Sequence, residues 1–171
     1  LADRWIRAAL ARTVQDVTAA WERYDVTAGV KRLKAFVVDD LSNWYVRLNR
    51  DRFWAPDQEA DPAAVATLRE VLVTVSRLLA PAAPFASDWL HRALTGTPVH
   101  LASWPVADEA DVALLAAMDT GRTLASLGRA AREEASLRVR QPLARMRVSV
   151  PATVRGALFD DVLGLVRNEV K

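Results

Sequence analysis

The chain has 171 residues, 51% of them hydrophobic and 26% charged, a balance that supports a buried core and excludes a disordered segment. A net charge of +2 confines any polyanion-binding character to local clusters, and the basic residues are arginines except for Lys31, Lys34 and Lys171. With no cysteine, disulfides, a catalytic thiol and a thiolate zinc site are excluded within these residues. No apolar run approaches the roughly 18 to 20 residues that span a bilayer, and no basic-then-apolar leader opens the chain. A cytoplasmic protein with no membrane partner is expected. The start at Leu1, already inside a helical pattern, suggests a piece of a longer chain.

Ile6, Leu10, Val14, Val17, Trp21 and Tyr24 recur at steps of three and four and predict a first helix over residues 3–24. Val30, Leu33, Val37, Leu41, Trp44 and Leu48 continue the spacing through a second, residues 27–49. Asp61-Pro62 reads as a cap with proline in the first turn, opening a helix with Val65, Leu68, Leu72, Val75 and Leu79 that Pro81 stops. Pro84 and Phe85 open a fourth helix, closed at Gly96. Long amphipathic helices on short connections pack most simply as an antiparallel bundle, the fold expected for residues 1–105.

Beyond Trp104-Pro105, Asp108 is the expected cap of a helix over 109–135. Leu137-Arg138-Val139-Arg140 and Met146-Arg147-Val148-Ser149-Val150 alternate apolar with polar, the period of half-buried strands, and residues 153–169 form a last helix. Residues 106–171 are therefore expected to make a small α+β subdomain on a mainly α protein.

The run from Leu41 to Trp54 sets arginines among large aromatics, a mixture suited to a nucleic-acid surface: guanidinium neutralises phosphate and stacks, and rings offer further stacking planes. Residues 31–52 hold six basic side chains and three acids, a local +3; residues 129–147 hold six arginines and two glutamates, a local +4. Trp44, on the apolar stripe, belongs to the core, as does Tyr45. His91 and His100, nine residues apart without a carboxylate pattern, make no metal site; His100 is expected to support the Trp104-Pro105 turn and His91 to be exposed or paired. No Gly-x-Ser-x-Gly turn or glycine-rich phosphate loop occurs, so no catalytic residue is expected.

Trp44, Tyr45, Arg47, Arg50, Arg52, Phe53 and Trp54 match the Trp-Tyr-x-Arg-x-x-Arg-x-Arg-Phe-Trp string of isoleucyl-tRNA synthetases, class I enzymes, where it lies in the helical anticodon-binding domain. Other segments resemble the family in the same order. Asp3-Arg4-Trp5-Ile6 looks like the start of that domain, displaced by Ala2, and Leu79 to Phe85 is similar to its Leu-Ala-Pro-x-x-Pro-Phe turn, with Asp88 where glutamate is common. Val99-His100-Leu101 with Trp104-Pro105, and Val139-Arg140-Gln141-Pro142-Leu143 of the junction region, also match. The His-x-Gly-His and Lys-Met-Ser-Lys-Ser motifs of the catalytic domain are absent.

The resemblance implies an anticodon-binding bundle, residues 1–105, and a junction subdomain, residues 106–171, with no cofactor of their own. The parent enzyme would use ATP and Mg to join isoleucine to its tRNA, with catalytic and editing domains as partners and, in some bacterial members, a cysteine-ligated zinc module outside these residues. The implied partner is the anticodon stem-loop of isoleucine tRNA, not DNA, contacted first by Arg47, Arg50 and Arg52, with Trp54 stacking, and next by Arg138, Arg140 and Gln141. Two competing readings are the same domain of a valine or leucine enzyme, and a helical interaction or ligand-sensing module with a tryptophan-lined core.

Overall fold

Three aspartates set where helices begin in the computed structural model, which describes residues 1–54, 59–138, 141, 143–151 and 154–169. Asp25 accepts from the Ala28 amide and starts α2, Val26–Ala35. Asp61 does the same for Ala63 at the head of α4, Pro62–Leu79, with Pro62 in the first turn as predicted. Asp111, and not Asp108, caps α6, Val112–Glu134, through the Leu114 amide. The other helices are α1, Ala2–Glu22, α3, Arg50–Phe53, α5, Pro84–Thr95, and α7, Ala157–Glu169. Gly96 ends α5 at a φ of 78°, a left-handed conformation that costs glycine no Cβ clash. Among the described residues no helix is long and apolar enough to cross a membrane.

The backbone forms two compact units, residues 2–110 and the described residues from Asp111 onward. In the first, side-chain bonds fix helix directions. Asp3 meets Tyr45 while Asp16 meets Arg32, so α1 opposes the rod that begins with α2. Arg7 meets Glu70, and Asp3 reaches Asp61 through Arg52, so α1 and α4 run the same way. Ser76 meets His91 and Arg69 donates to the Leu94 carbonyl, so α5 opposes α4. The outcome is an up-down-up-down bundle. Its core takes Trp5, Ile6, Val14 and Val17 from α1, Leu33, Phe36, Leu41, Trp44 and Tyr45 from the second rod, and Val71, Val75 and Leu78 from α4. Each large apolar side chain so buried stabilises by about 1.5–3 kcal/mol.

The predicted stripes fail at identifiable places. Tyr24 is not on the α1 stripe: it stands in the turn after it, at a φ of 59° and almost fully exposed. Val30 and Val65 are also partly exposed. The second rod is not α-helical throughout. After Ala35 it runs as a π-helix over Phe36–Val46, where the hydrogen-bond step lengthens from four residues to five. Buried positions in it are Phe36, Leu41, Trp44 and Tyr45, so the predicted Leu41 and Trp44 are buried while the predicted Val37 gives way to its neighbour Phe36.

His91 is paired, one of its two expected alternatives, while the Trp104-Pro105 turn is held by a residue other than His100. His91 is buried, with Nδ1 2.8 Å from Ser76 Oγ. That hydroxyl donates to the Val73 carbonyl, so the ring N–H is the donor to it. Burial, and then the charge of Arg77, push the His91 imidazole below its ordinary value. Trp104 is tied down by Thr18, whose Oγ1 accepts from the indole N–H at 2.8 Å, whereas His100 is exposed.

In the second unit α6 and α7 lie side by side and bury Leu114, Met118, Leu124, Ala125, Phe159, Val162 and Val166. Gly121 makes their close approach, because Val162 and Val166 of α7 occupy the space a Cβ would need. The expected strand pair is corrected: among the described residues there is no strand. Leu143, Met146 and Val148 line a cavity of about 620 Å³ with Leu137 of the same connection and Leu163 and Val166 of α7, so their apolar side chains turn toward helix rather than a strand neighbour. Val139 and Arg140, from the other half of the expected pair, lie outside the described residues.

Candidate nucleic-acid interface

A four-residue helix such as α3 forms one turn and cannot sustain itself; its neighbours must hold it. The holder is Arg52. Its Nη1 and Nη2 donate to the two carboxylate oxygens of Asp3 in α1, both at 2.8 Å, and Nη1 also donates to Asn49 Oδ1 at 2.9 Å. Nε donates to Asp61 Oδ2 at 2.8 Å, and the Arg52 carbonyl accepts from the Asp61 amide at 2.8 Å. Four of the five guanidinium N–H groups are thereby used inside the bundle, in the planar fork that arginine, unlike lysine, offers.

The surrounding groups complete a closed network. The Tyr45 hydroxyl donates to Asp3 Oδ1 at 2.7 Å, and the buried Asn49 amide donates to the Tyr45 carbonyl at 2.7 Å. The Arg52 hydrogen bonds hold the Asp3 carboxyl below the usual carboxylate range, against the opposing effect of partial burial. Burial, followed by the carboxylate of Asp3, pushes the Tyr45 phenol upward. Asp61 is lowered, first by Arg52 and then by the Ala63 amide that it caps. α1, the second rod, α3 and the head of α4 thus meet at one charged knot.

With Arg52 turned inward, other members of the run are presented outward. Arg50 is exposed on α3, and Arg47, one turn earlier, is exposed just past the π-helix. Trp54 is 63% exposed; its ring stands edge-on to Phe53 at 5.6 Å, and Phe53 in turn packs against buried Tyr45 at 6.1 Å. An aromatic relay therefore anchors Trp54, the most exposed of these three rings. Arg32, counted in the same basic cluster, is paired with Asp16 at 3.0 Å.

Arg138 and Gln141 belong to the second unit. The buried Arg132 donates through Nη1 to both of their backbone carbonyls, at 3.2 Å and 2.9 Å, and the Gln141 amide donates to the Arg138 carbonyl. Arg132 thereby holds the backbone at Arg138 and at Gln141, whose side chains are both exposed. Arg140 lies outside the described residues. The structure thus groups Arg47, Arg50, Arg52 and Trp54 in one unit, and Arg138 and Gln141 in the other. Sequence reasoning missed Asp3, Asn49 and Asp61 as partners of this site; the signal available was Asp3 beside Arg4-Trp5, an acid in a helix's first turn without a local partner. Among the described residues no three His, Asp or Glu side chains converge as metal ligands.

A helical bundle whose second rod ends in this arginine and aromatic ledge places the chain in a known class: it belongs to the family described as the anticodon-binding domain of tRNA ligase, which it matches over residues 3–148. Within that class its relatives include isoleucine–tRNA ligases. The chain is 49% identical to that of Deinococcus radiodurans over 150 residues, 85% of this chain and 14% of the ligase. It is 42% identical to the Cutibacterium acnes ligase over 177 residues, 98% of this chain and 15% of the ligase. The Thermus thermophilus ligase is 43% identical over 162 residues, 89% and 16% respectively. The chain therefore spans about one-seventh of the length of the curated relatives it matches.

Proposed function

We propose that the chain serves as the anticodon-binding part of an isoleucine–tRNA ligase, with the bundle gripping the anticodon stem-loop and the second unit acting as the junction subdomain. What supports this most is the ledge itself: Arg50 and Trp54 are exposed on a turn that internal ion pairs hold in place. An anticodon loop offers unstacked bases and closely spaced phosphates, and stacking one base on a ring or guanidinium plane contributes about 1–3 kcal/mol. In this reading Arg47 and Arg50 take phosphates or stack, Trp54 stacks, and Arg138, Arg140 and Gln141 form a second contact. Arg52 is a positioning residue that fixes the turn. ATP, Mg, aminoacylation, editing and any zinc module belong to the rest of the ligase.

The test is binding to isoleucine and valine tRNAs at two salt concentrations, for the unaltered chain and an Arg47→Ala/Arg50→Ala/Trp54→Ala variant. Salt-sensitive binding that favours isoleucine tRNA and is lost in a still-folded variant is expected. Equal binding of both tRNAs, unaffected by the substitutions, overturns the assignment.

A further inference from the structure

α5 is built inside out. Its inward face carries the buried Ser87 and His91, while its large aromatics point to solvent: Phe85 is 91% exposed and Trp89 74%. Four residues apart on one helix, the two rings are neighbours and together expose apolar surface on the order of 300 Å², comparable to the largest patch of a typical monomer. The Val99 amide donates to Asp88 Oδ1 at 2.9 Å, which draws the 3₁₀ turn Val99–Leu101 against the same stretch of α5; Leu101 in that turn is 84% exposed. Folding of the bundle alone does not require aromatics there.

We infer that the Phe85–Trp89 face is a docking surface for protein, and that its occupant is the remainder of the ligase, an inference that rests on the reading of the chain as part of an isoleucine–tRNA ligase. The relatives carry more than four-fifths of their length outside the stretch this chain matches, so each has a large body of protein to dock. Charge favours an apolar protein socket over RNA. α5 carries a single arginine, Arg92, and its Nε is paired with Asp88 at 2.6 Å, so this face offers a polyanion far less positive charge than the ledge does. The face belongs to the same unit as the arginine ledge, so docking here would hold the ledge at a set position relative to the rest of the ligase.

Because the chain has no cysteine, Phe85→Cys and Trp89→Cys introduce unique thiols in it. Their labelling by a water-soluble maleimide is compared in the chain alone and in a D. radiodurans ligase whose matched stretch is replaced by this chain, with peptide mass spectrometry locating the label. Rates at both positions are expected to fall at least 100-fold in the whole ligase, while Ala66→Cys, on the exposed part of α4, reacts alike in both. Ala8→Cys, in the core, stays unlabelled in both when the fold is intact. Hydrogen exchange of α5 without any substitution must slow in parallel. Equal rates at 85 and 89 in the two settings overturn the inference. Protection that grows with concentration of the chain alone also overturns it and assigns the face to a second copy. A Phe85→Ser/Trp89→Ser chain should bind tRNA within twofold of the unaltered one, which separates this face from the anticodon reading; loss of tRNA binding would hand the face to RNA and overturn the inference.

Discussion

Arg52→Ala removes the centre of the charged knot, and its cost can be worked out from the bonds lost. Hydrogen bonds between charged groups contribute about 1.5–3 kcal/mol each, which for the fork onto Asp3 alone would give roughly 3–6 kcal/mol. Arg52 and Asp3 are 31% and 23% exposed at the side chain, so water replaces part of what is lost. Breaking a fully buried pair costs about 3–5 kcal/mol, and a partly wet one falls below that, at about 2–3 kcal/mol. With a urea dependence of about 1–2 kcal/mol per molar, the unfolding midpoint followed by tryptophan fluorescence should drop by roughly 1–3 M. Arg50→Ala, on the exposed side of the same turn, should stay within about 0.5 kcal/mol. Arg52→Lys should restore less than half the loss, since a single ammonium cannot span both Asp3 oxygens. Equal stability of Arg52→Ala and Arg50→Ala would refute the reasoning. Binding supplies a second discriminator: Arg50→Ala should lower the slope of log affinity against log salt by about 0.7, whereas Arg52→Ala should weaken tRNA binding with the slope unchanged.

Asp3 is lowered in the folded state, so its contribution is present above the unfolded carboxylate range and is lost as pH falls through the folded value; Asp3→Asn should flatten the acid limb of stability below about pH 4. The same sign holds for His91, whose depressed imidazole favours the fold above about pH 6.5 and costs stability as the unfolded chain takes up its proton below that. A His91→Gln chain, less stable at pH 7, should show a flatter profile between pH 6.5 and 5 in the same urea assay. Gly121→Ala drives a methyl into the stiff, branched Val162 and should destabilise the second unit by about 1–3 kcal/mol. Gly164→Ala meets nothing within 4 Å and should stabilise α7 by about 0.5–1 kcal/mol, read as opposite shifts in thermal midpoint.

What the sequence made legible was whatever depends on near neighbours. Asp61-Pro62, Pro81 and Gly96 bound their helices because caps, proline and left-handed glycine act within a few residues. The exposed Arg50 and Trp54 were likewise readable as a local cluster. The role of Arg52 was not, because its main partner, Asp3, lies 49 residues away and only packing of α1 against the second rod brings them together. Phe36 was missed for a different reason: Phe36 and Val37 follow Leu33 by three and four residues, both allowed by a 3.6-residue period, and only packing decides between them. Alternation over Met146–Val150 suggested a strand, yet alternation does not say what a side packs against; here Met146 and Val148 line a cavity together with Leu163 and Val166 of α7.

The π-helix also bears on how the domain can change over time. A π-helical turn accommodates residues beyond the α-helical repeat, and removing one residue between Phe36 and Val46 would turn everything downstream by about 100° about the rod. Arg47 and Arg50 would then face elsewhere although every side chain of the ledge remained. Length in this segment therefore acts as a dial on surface orientation: point substitutions there can be absorbed one at a time, while a single codon gained or lost would redirect the whole ledge.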